Sequence, residues 1–244
     1  MKFKNGWYLI EEETDMGYDL WNTTQPWQDG LMFKTMSYCN HMRTAIDIGC
    51  AYGATTLPLA KNFNHVHSFD MNKTLSECFV KNTSGFNNIT HYVTGLTDKD
   101  EKRTAFFAKW SGYSTLRENQ FETLKTNLGG YKEEVSCTFL DKFQIEDVDL
   151  LKIDAEGEEL SILRGARYTI GKYKPVVVLE NGKNKREQEF ISALHDIIGY
   201  IPVENWRYDT IFIHPNLLKK KRKNNLTSFL LNRKLYTENL MEIK

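Results

Sequence analysis

Thr44-Ala45-Ile46-Asp47-Ile48-Gly49-Cys50-Ala51-Tyr52-Gly53 is the stretch from which the rest of the chain can be read. A short apolar run carries an acid, two glycines follow with three residues between them, and Ala54-Thr55-Thr56-Leu57 opens a helix. Strand, tight turn and helix in that order form the start of a nucleotide-binding β-α-β unit. Glycine is needed where the backbone turns sharply or where a ligand comes against the main chain. The free N–H groups of the following helix point back toward the turn.

The glycine spacing bears on the ligand. A dinucleotide fingerprint reads G-x-G-x-x-G, but here Ala51 stands at its second glycine and Ala54 at its third. What remains is D-x-G-x-x-x-G, from Asp47 to Gly53. That spacing resembles the first motif of class I S-adenosylmethionine (SAM) methyltransferases and disfavours a nicotinamide dehydrogenase. An ordinary strand-to-helix turn is the plainer alternative for this stretch taken alone.

Working outward, a helix is expected to about Asn62, with Pro58 in its first turn, where a missing N–H is tolerated. Val66 to Phe69 reads as a second strand ending at Asp70. An acid about twenty residues past the glycines suits the two hydroxyls of a bound ribose, and Met71 would lie against the adenine. Asp70 also suits the start of the next helix, which buries Leu75, Cys78 and Phe79. A third strand runs from about Ile89 to Thr94, and its loop at Gly95-Leu96 would meet the adenine. Asp98-Lys99-Asp100-Glu101-Lys102 reads as a charged turn. Thr104 to Lys109 and Val135 to Phe139 read as extra strands. A polar helix to Leu128 lies between them, ended by Gly129-Gly130.

Val148-Asp149-Leu150-Leu151-Lys152-Ile153-Asp154-Ala155-Glu156-Gly157-Glu158-Glu159 is the second informative stretch. A buried strand again ends in acids, and a helix with Leu160, Leu163, Ala166 and Ile170 on one face follows to Gly171. Pro175 to Glu180 is another buried parallel strand with an acid at its carboxyl end, and a helix from about Lys185 to Ile198 comes next. Tyr200 to Val203 and Thr210 to Ile213 read as a closing antiparallel pair, with His214 after the last strand as a surface residue or one reaching the crevice. The expected fold class is therefore α/β: a doubly wound, mostly parallel sheet. Four strand ends carry acids, at Asp47, Asp70, Asp154 and Glu180, and in an open α/β sheet such ends line one crevice.

Length and composition fit this reading. The chain has 244 residues, enough for one α/β domain with a large core. Lys+Arg and Asp+Glu both number 32, so no global field argues for nucleic acid or an anionic membrane. No apolar run is long enough to span a bilayer, and the start lacks a signal-peptide core. Cys39, Cys50, Cys78 and Cys137 are scattered, which fits reduced thiols in a cytoplasmic protein. The oligomeric state is not legible.

With these residues in place, the chain resembles the FkbM-like family of SAM-dependent methyltransferases. The resemblance rests on Ile46 to Gly53, Phe69-Asp70, Gly112-Tyr113-Ser114-Thr115-Leu116, Asp149 to Glu159, Leu163-Arg164-Gly165-Ala166 and Pro175 to Glu180. It spans about residues 43 to 215 and departs from the family at Asp70, often Glu there, and at Cys50-Ala51. It implies a seven-stranded Rossmann-like sheet with one antiparallel strand, and methyl transfer from SAM, usually to an oxygen of a sugar, glycan or polyketide. By the same resemblance Gly49, Cys50, Ala51, Tyr52 and Gly53 cradle the methionine part. Asp47 favours its ammonium, Asp70 and Met71 hold the ribose and adenine side, and Gly95 and Leu96 flank adenine.

The chemistry asks for little beyond positioning, because the sulfonium already activates the methyl group. An alcohol acceptor must lose a proton, so Asp154, Glu156 or Glu180 is expected as the base, raised by a like-charged neighbour. A sharper expectation is magnesium held by Asp154, Glu180 and Asn181, similar to catechol O-methyltransferases; the alternative is that these acids cap helices or pair with Lys152. Lys152 itself would snorkel to the crevice or pair with Glu156 or Glu180. Trp110, Tyr113 and Ser114 would contact the acceptor, unless they pack beneath the loop.

Two flanking segments complete the expected organisation. Residues 1–42 are aromatic-rich, with a helix from Asp29 to about Met42 and a flap at Trp21 to Trp27 that would bring Trp27 over the acceptor; packing onto the sheet is the plainer reading. Residues 43–215 form the methyltransferase domain. Residues 216–244 carry Lys219-Lys220-Lys221-Arg222-Lys223 beside apolar positions, read as a solvated helical tail. The expected partner is a small-molecule or glycan hydroxyl acceptor. Two other readings stay open: a nucleic-acid methyltransferase using the basic tail, and an inactive SAM-fold protein that binds a partner.

Overall fold

Short runs of buried, mostly apolar residues, such as Val176 to Leu179 and Leu150 to Ile153, build the central strands of the sheet. A computed structural model describes residues 1–12, 29–109, 113–180 and 187–217. In chain order the strands are β1 (Lys2–Lys4), β2 (Trp7–Leu9), β3 (Thr44–Ile48), β4 (His65–Asp70), β5 (Ile89–Val93), β6 (Gly95–Thr97), β7 (Glu101–Ala108), β8 (Ser114–Thr115), β9 (Gly130–Phe139), β10 (Val148–Ile153), β11 (Val176–Glu180), β12 (Ile201–Trp206) and β13 (Asp209–Ile213). The helices are α1 (Asp29–Met36), α2 (Thr56–Ala60), α3 (Lys73–Asn82), α4 (Phe121–Leu128), α5 (Glu159–Gly165), α6 (Arg167–Tyr173) and α7 (Glu187–Ile198).

The main sheet has seven strands in the order β12-β13-β11-β10-β3-β4-β5. β11, β10, β3, β4 and β5 run parallel to one another, while β13 runs antiparallel to both β11 and β12. This is the expected doubly wound sheet with one reversed strand. Side chains alternate between its faces. Ile46, Ile48, Leu151, Ile153, Val177 and Leu179 pack under α5, α6 and α7. Ala45, Leu150, Val176, Val178, Ile211 and Ile213 pack under α1 and α2. Near the carboxyl ends that second face changes from apolar to charged: Asp47 pairs in register with Lys152, Lys152 with Val178, and Glu180 with Asp209.

Several local expectations change. α1 ends at Met36 and not near Met42, the chain leaving through a turn in which Cys39 N–H meets Met36 O. α2 ends at Ala60, two residues before Asn62. Asp98 to Lys102 is not all turn: Glu101 and Lys102 belong to β7, because pairing with Cys137 and Ser136 of β9 outweighs their charge. Gly95 to Thr97 is not a loop of the third strand but a strand, β6, parallel to β9. The helix expected to end at Gly171 breaks at Ala166, where α5 packs closely on β6, and α6 continues to Lys174 in a left-handed cap.

β6, β9, β7 and β8 form a second, four-stranded sheet in that order. The hairpin of β1 and β2, not anticipated from the sequence, buries Trp7 and Leu9 against Tyr52 and α3. Asn82 fixes it there, accepting from Tyr8 N–H at 2.7 Å and donating to the Tyr8 and Tyr52 carbonyls. No helix among the described residues is long and apolar enough to cross a membrane.

Candidate active site at the carboxyl ends of the strands

The turn after β3 is held by three neighbours. Gly49 has φ +76°, and a Cβ there would lie 1.7 Å from the Asp154 carbonyl oxygen, so this position admits glycine alone. Gly49 N–H and Cys50 N–H both donate to Phe69 O, tying the turn to β4. Asp47 lies beneath it with no exposed surface. Its Oδ2 accepts from the Thr55 and Thr56 hydroxyls, each at 2.6 Å, so this carboxylate anchors the start of α2.

Asp70 closes the other side. Its two oxygens accept from Ala51 N–H at 2.9 Å and Asn72 N–H at 2.8 Å, joining the turn to the start of α3. Burial pushes its carboxyl up to about 6, with the Asn72 and Ala51 N–H groups pulling the other way. Each oxygen keeps a lone pair for a ligand hydroxyl. Burial likewise pushes the Cys50 thiol well above its ordinary range, so it stands in the turn as a neutral thiol.

A cavity of about 190 Å³ opens between these elements. Gly49, Cys50, Ala51 and Asp70 form one wall; Met71, Gly95, Leu96 and Ile162 form an apolar end. Tyr113, Ser114 and Leu116 reach in from the second sheet, and Lys152, Asp154 and Glu156 form the floor.

The floor is a buried charge cluster. Lys152, 1% exposed, places Nζ 3.2 Å from Asp154 Oδ2 and 3.6 Å from Asp47 Oδ1. Burial opposes its charge, but Asp154 and Asp47, with Asp209, overcome that and raise its pKa. Oxygens of Asp154, Glu156 and Glu180 lie within 4.8 Å of one another. Burial, then the Asp154 charge, raises Glu156 and Glu180 far above the usual carboxylate range, and the same two causes push Asp209 up to about 7.

This arrangement gives stability a definite pH dependence. Acids raised in the folded chain bind more protons folded than unfolded, so stability falls as pH rises from the ordinary carboxylate range, about 4, through the raised values. His67, lowered by burial to about 4, acts oppositely below pH 7, whereas on the alkaline side the raised acids and the raised Cys50 and Cys137 thiols act in the same direction. We expect the Tm of the ligand-free protein to fall from about pH 7 to about pH 9, and Glu180→Gln to flatten the fall. A Tm that rises over that window is the contrary result.

The second sheet clasps the acid loop. Glu156 has φ +48°, a left-handed conformation that its neighbours must hold. Thr115 Oγ1 donates to Glu156 O at 3.0 Å. Arg117 donates to Gly157 O from Nε and Nη2, and Arg103 spans Glu158 Oε2 and Leu116 O. Glu159 accepts from the Ala155 and Gly157 N–H groups.

A model described as the methyltransferase FkbM domain matches residues 47–210, about two thirds of the chain and every element that lines the cavity except the first residues of β3. The chain belongs to the FkbM methyltransferase family. Its fold is similar to that of an FkbM methyltransferase from Methylobacillus flagellatus KT, with TM-score 0.50 and 16% identity over 71% of this chain. This chain covers 44% of that one. It is also similar to a precorrin 8W decarboxylase from Methanobacterium thermoautotrophicum (TM-score 0.49, 13% identity, 88% and 100% of the two chains). A third is the N-methyltransferase NodS from Bradyrhizobium japonicum WM9 in complex with S-adenosyl-L-homocysteine (TM-score 0.43, 12% identity, 82% and 96%). A comparison with curated proteins gives no match.

The FkbM methyltransferase fold brings many of the expected site residues together and sets others apart. Gly49, Cys50, Ala51, Asp70, Met71, Gly95, Leu96, Tyr113, Ser114, Asp154 and Glu156 line the one cavity. Asp47, Tyr52 and Gly53 do not: Asp47 is consumed by two threonines and Lys152, and Tyr52 is buried against the amino-terminal hairpin. Glu180 joins the carboxylate cluster behind the cavity wall. Lys152 pairs with Asp154 and Asp47, not with Glu156 or Glu180. Trp27, Trp110 and Asn181 lie outside the described residues. His214 faces the opposite end of the sheet, beside Arg43 and Asp149. Asp209, 2% exposed, was missed; its signal was its place at the start of a strand whose direction is reversed.

Proposed function

We propose that this FkbM methyltransferase transfers the methyl group of SAM to a hydroxyl of a sugar, glycan or related small molecule. The observation that carries the reading is that one cavity holds both the glycine turn with Asp70 and the carboxylate of Glu156, so a cofactor and a proton acceptor share a space. SAM supplies an electrophilic methyl group on a positively charged sulfur. Asp70 holds the ribose hydroxyls, and Met71, Gly95 and Leu96 cover the adenine. Asp154, which lines the cavity, would meet the cofactor's ammonium in place of Asp47, whose Oδ2 is taken by Thr55 and Thr56 and whose Oδ1 faces Lys152.

Glu156 is the base in this reading. Asp154 is neutralised by Lys152, and Glu180 stands behind the wall, whereas Glu156 faces the cavity with Tyr113 hydrogen-bonded to it. With SAM bound, Glu156 would take the acceptor O–H proton as the acceptor oxygen bonds to the methyl carbon and the carbon–sulfur bond breaks, leaving S-adenosylhomocysteine. The magnesium set of Asp154, Glu180 and Asn181 fits less well: a divalent ion on Asp154 would meet the Lys152 ammonium already 3.2 Å from that carboxylate. The basic run at Lys219 to Lys223, which suggested nucleic acid, lies outside the described residues.

Calorimetric titration with S-adenosylhomocysteine tests the reading, with NAD as control. The parent is expected to bind the first and not the second. Asp70→Ala is expected to bind it about tenfold to a hundredfold more weakly, since two hydrogen bonds to a charged acceptor are lost. Absence of binding by the parent sinks the methyltransferase reading; equal binding by Asp70→Ala sinks the ribose role.

A further inference from the structure

Four hydroxyl side chains line the cavity, and three of them have spent their protons. Thr55 donates to Asp47 at 2.6 Å. Thr94 donates to the Gly95 and Ser136 carbonyls. Tyr113 donates to Gln120 Oε1 at 3.3 Å. The fourth is Ser114, whose Oγ meets Asn72 Nδ2 at 3.2 Å. The other contacts of Asn72 fix the direction of that bond. Its Oδ1 accepts from the Thr74 and Leu75 N–H groups at the start of α3, at 3.0 and 3.2 Å, so the amide turns its NH2 toward Ser114. Ser114 is therefore the acceptor, and its own proton finds no acceptor among the described residues. A cavity-lining hydroxyl with an unspent proton is a donor for whatever fills the cavity.

The surroundings of Ser114 indicate which part of the ligand it meets. Asn72 is 5% exposed, and its N–H holds Asp70 Oδ1, on the carboxylate of the ribose seat. Leu116, two residues along from Ser114, packs with Met71. Ser114 thus stands between the ribose seat and the apolar end made by Met71, Gly95, Leu96 and Ile162. The side chains of that end carry no N–H or O–H. An adenine placed there has ring nitrogens that only accept, and a buried acceptor without a donor is costly. We infer that Ser114 donates its hydroxyl proton to a ring nitrogen of the cofactor's adenine, which makes it a cofactor-specificity residue and not the acceptor contact expected from the sequence. The inference rests on the SAM reading of the cavity. Thr115, whose side chain leaves β8 on the other face, donates to Glu156 O. The strand that grips the purine therefore also holds the backbone of the base, and two adjacent residues set the cofactor and Glu156 relative to each other.

The test is calorimetry on the full chain with S-adenosylhomocysteine and its 1-deaza, 3-deaza and 7-deaza analogues, in which C–H replaces one purine nitrogen. Ser114→Ala is expected to bind S-adenosylhomocysteine about fivefold to tenfold more weakly, the loss for one hydrogen bond, and Ser114→Thr to stay within about twofold of the parent. One analogue is expected to lose about as much in the parent and to lose nothing further in Ser114→Ala, because the donor and the acceptor of one bond are then both gone. A variant that merely disturbs Asn72 weakens all four ligands alike and keeps the parent's ranking. That ranking kept in Ser114→Ala overturns the proposal. Unchanged S-adenosylhomocysteine binding by Ser114→Ala also overturns it and returns the residue to the acceptor. Ser114→Cys, a weaker donor of similar size, takes its place in the cycle if Ser114→Ala fails to fold. In the parent alone, equal affinity for all four ligands overturns the proposal without any variant. If the parent does not bind S-adenosylhomocysteine, the methyltransferase reading falls and the purine assignment falls with it.

Discussion

Lys152→Met is expected to lower the unfolding free energy by about 3–5 kcal/mol, the range for removing one partner of a buried ion pair. Lys152 sits in the middle of β10, 1% exposed, with its ammonium between Asp47 and Asp154. Methionine keeps the length and apolar stem but removes the charge. Asp47 Oδ1 already has no hydrogen-bond partner, so the change would leave that oxygen facing a thioether inside the core. Asp47 also anchors Thr55 and Thr56, so the start of α2 loosens with it. Since domains of this size unfold at a cost of about 5–15 kcal/mol, the variant sits near the limit of folding. Urea unfolding at neutral pH measures this directly. A loss below about 1 kcal/mol would mean that water reaches these carboxylates.

Gly49→Ala is expected to abolish S-adenosylhomocysteine binding and to destabilise the fold by about 2 kcal/mol or more. The methyl group would overlap the Asp154 carbonyl oxygen, 1.7 Å from the position of Cβ, in a backbone conformation that alanine rarely adopts. Backbone against backbone does not yield, so β3 and β10 must part at the point where the turn meets the acid loop. Gly53→Ala makes the informative comparison. Its φ is +93°, but the nearest atoms are the side chains of Thr83 and Phe79 at 3.2 Å and beyond, which can move. The motif presents the two glycines as equals, whereas the structure ranks Gly49 well above Gly53. Titration and thermal unfolding of both variants decide the matter; equal losses would remove the close approach of Gly49 to Asp154 as the cause.

How much of this was legible in the sequence follows from which interactions are local. The turn after β3, Asp70 closing β4, and Asp154 and Glu156 closing β10 were all readable. An apolar run of strand length that ends in an acid, followed by glycine and helical spacing, is a pattern contained within a dozen residues. The doubly wound sheet followed from repeating that pattern. The break of the fifth helical stretch at Ala166 was not readable, because its cause is the approach of β6, sixty-odd residues earlier in the chain.

By itself, then, the sequence determined that the ends of β3, β4, β10 and β11 would lie along one edge of the sheet, since parallel strands joined by helices point the same way; of the four acids expected there, Asp70 and Asp154 line the cavity, while Asp47 and Glu180 do not. The tertiary structure decided which carboxylates are free. Asp47 looked like a ligand group until Thr55, Thr56 and Lys152 were seen to occupy it. Asp209 lay just outside the strand expected from Thr210 to Ile213 and drew no attention; the reversed direction of β13 puts it beside Glu180 and His214 at the far end of the sheet. Strand direction and hydrogen-bond occupancy arise between segments distant in sequence, so no local pattern encodes them.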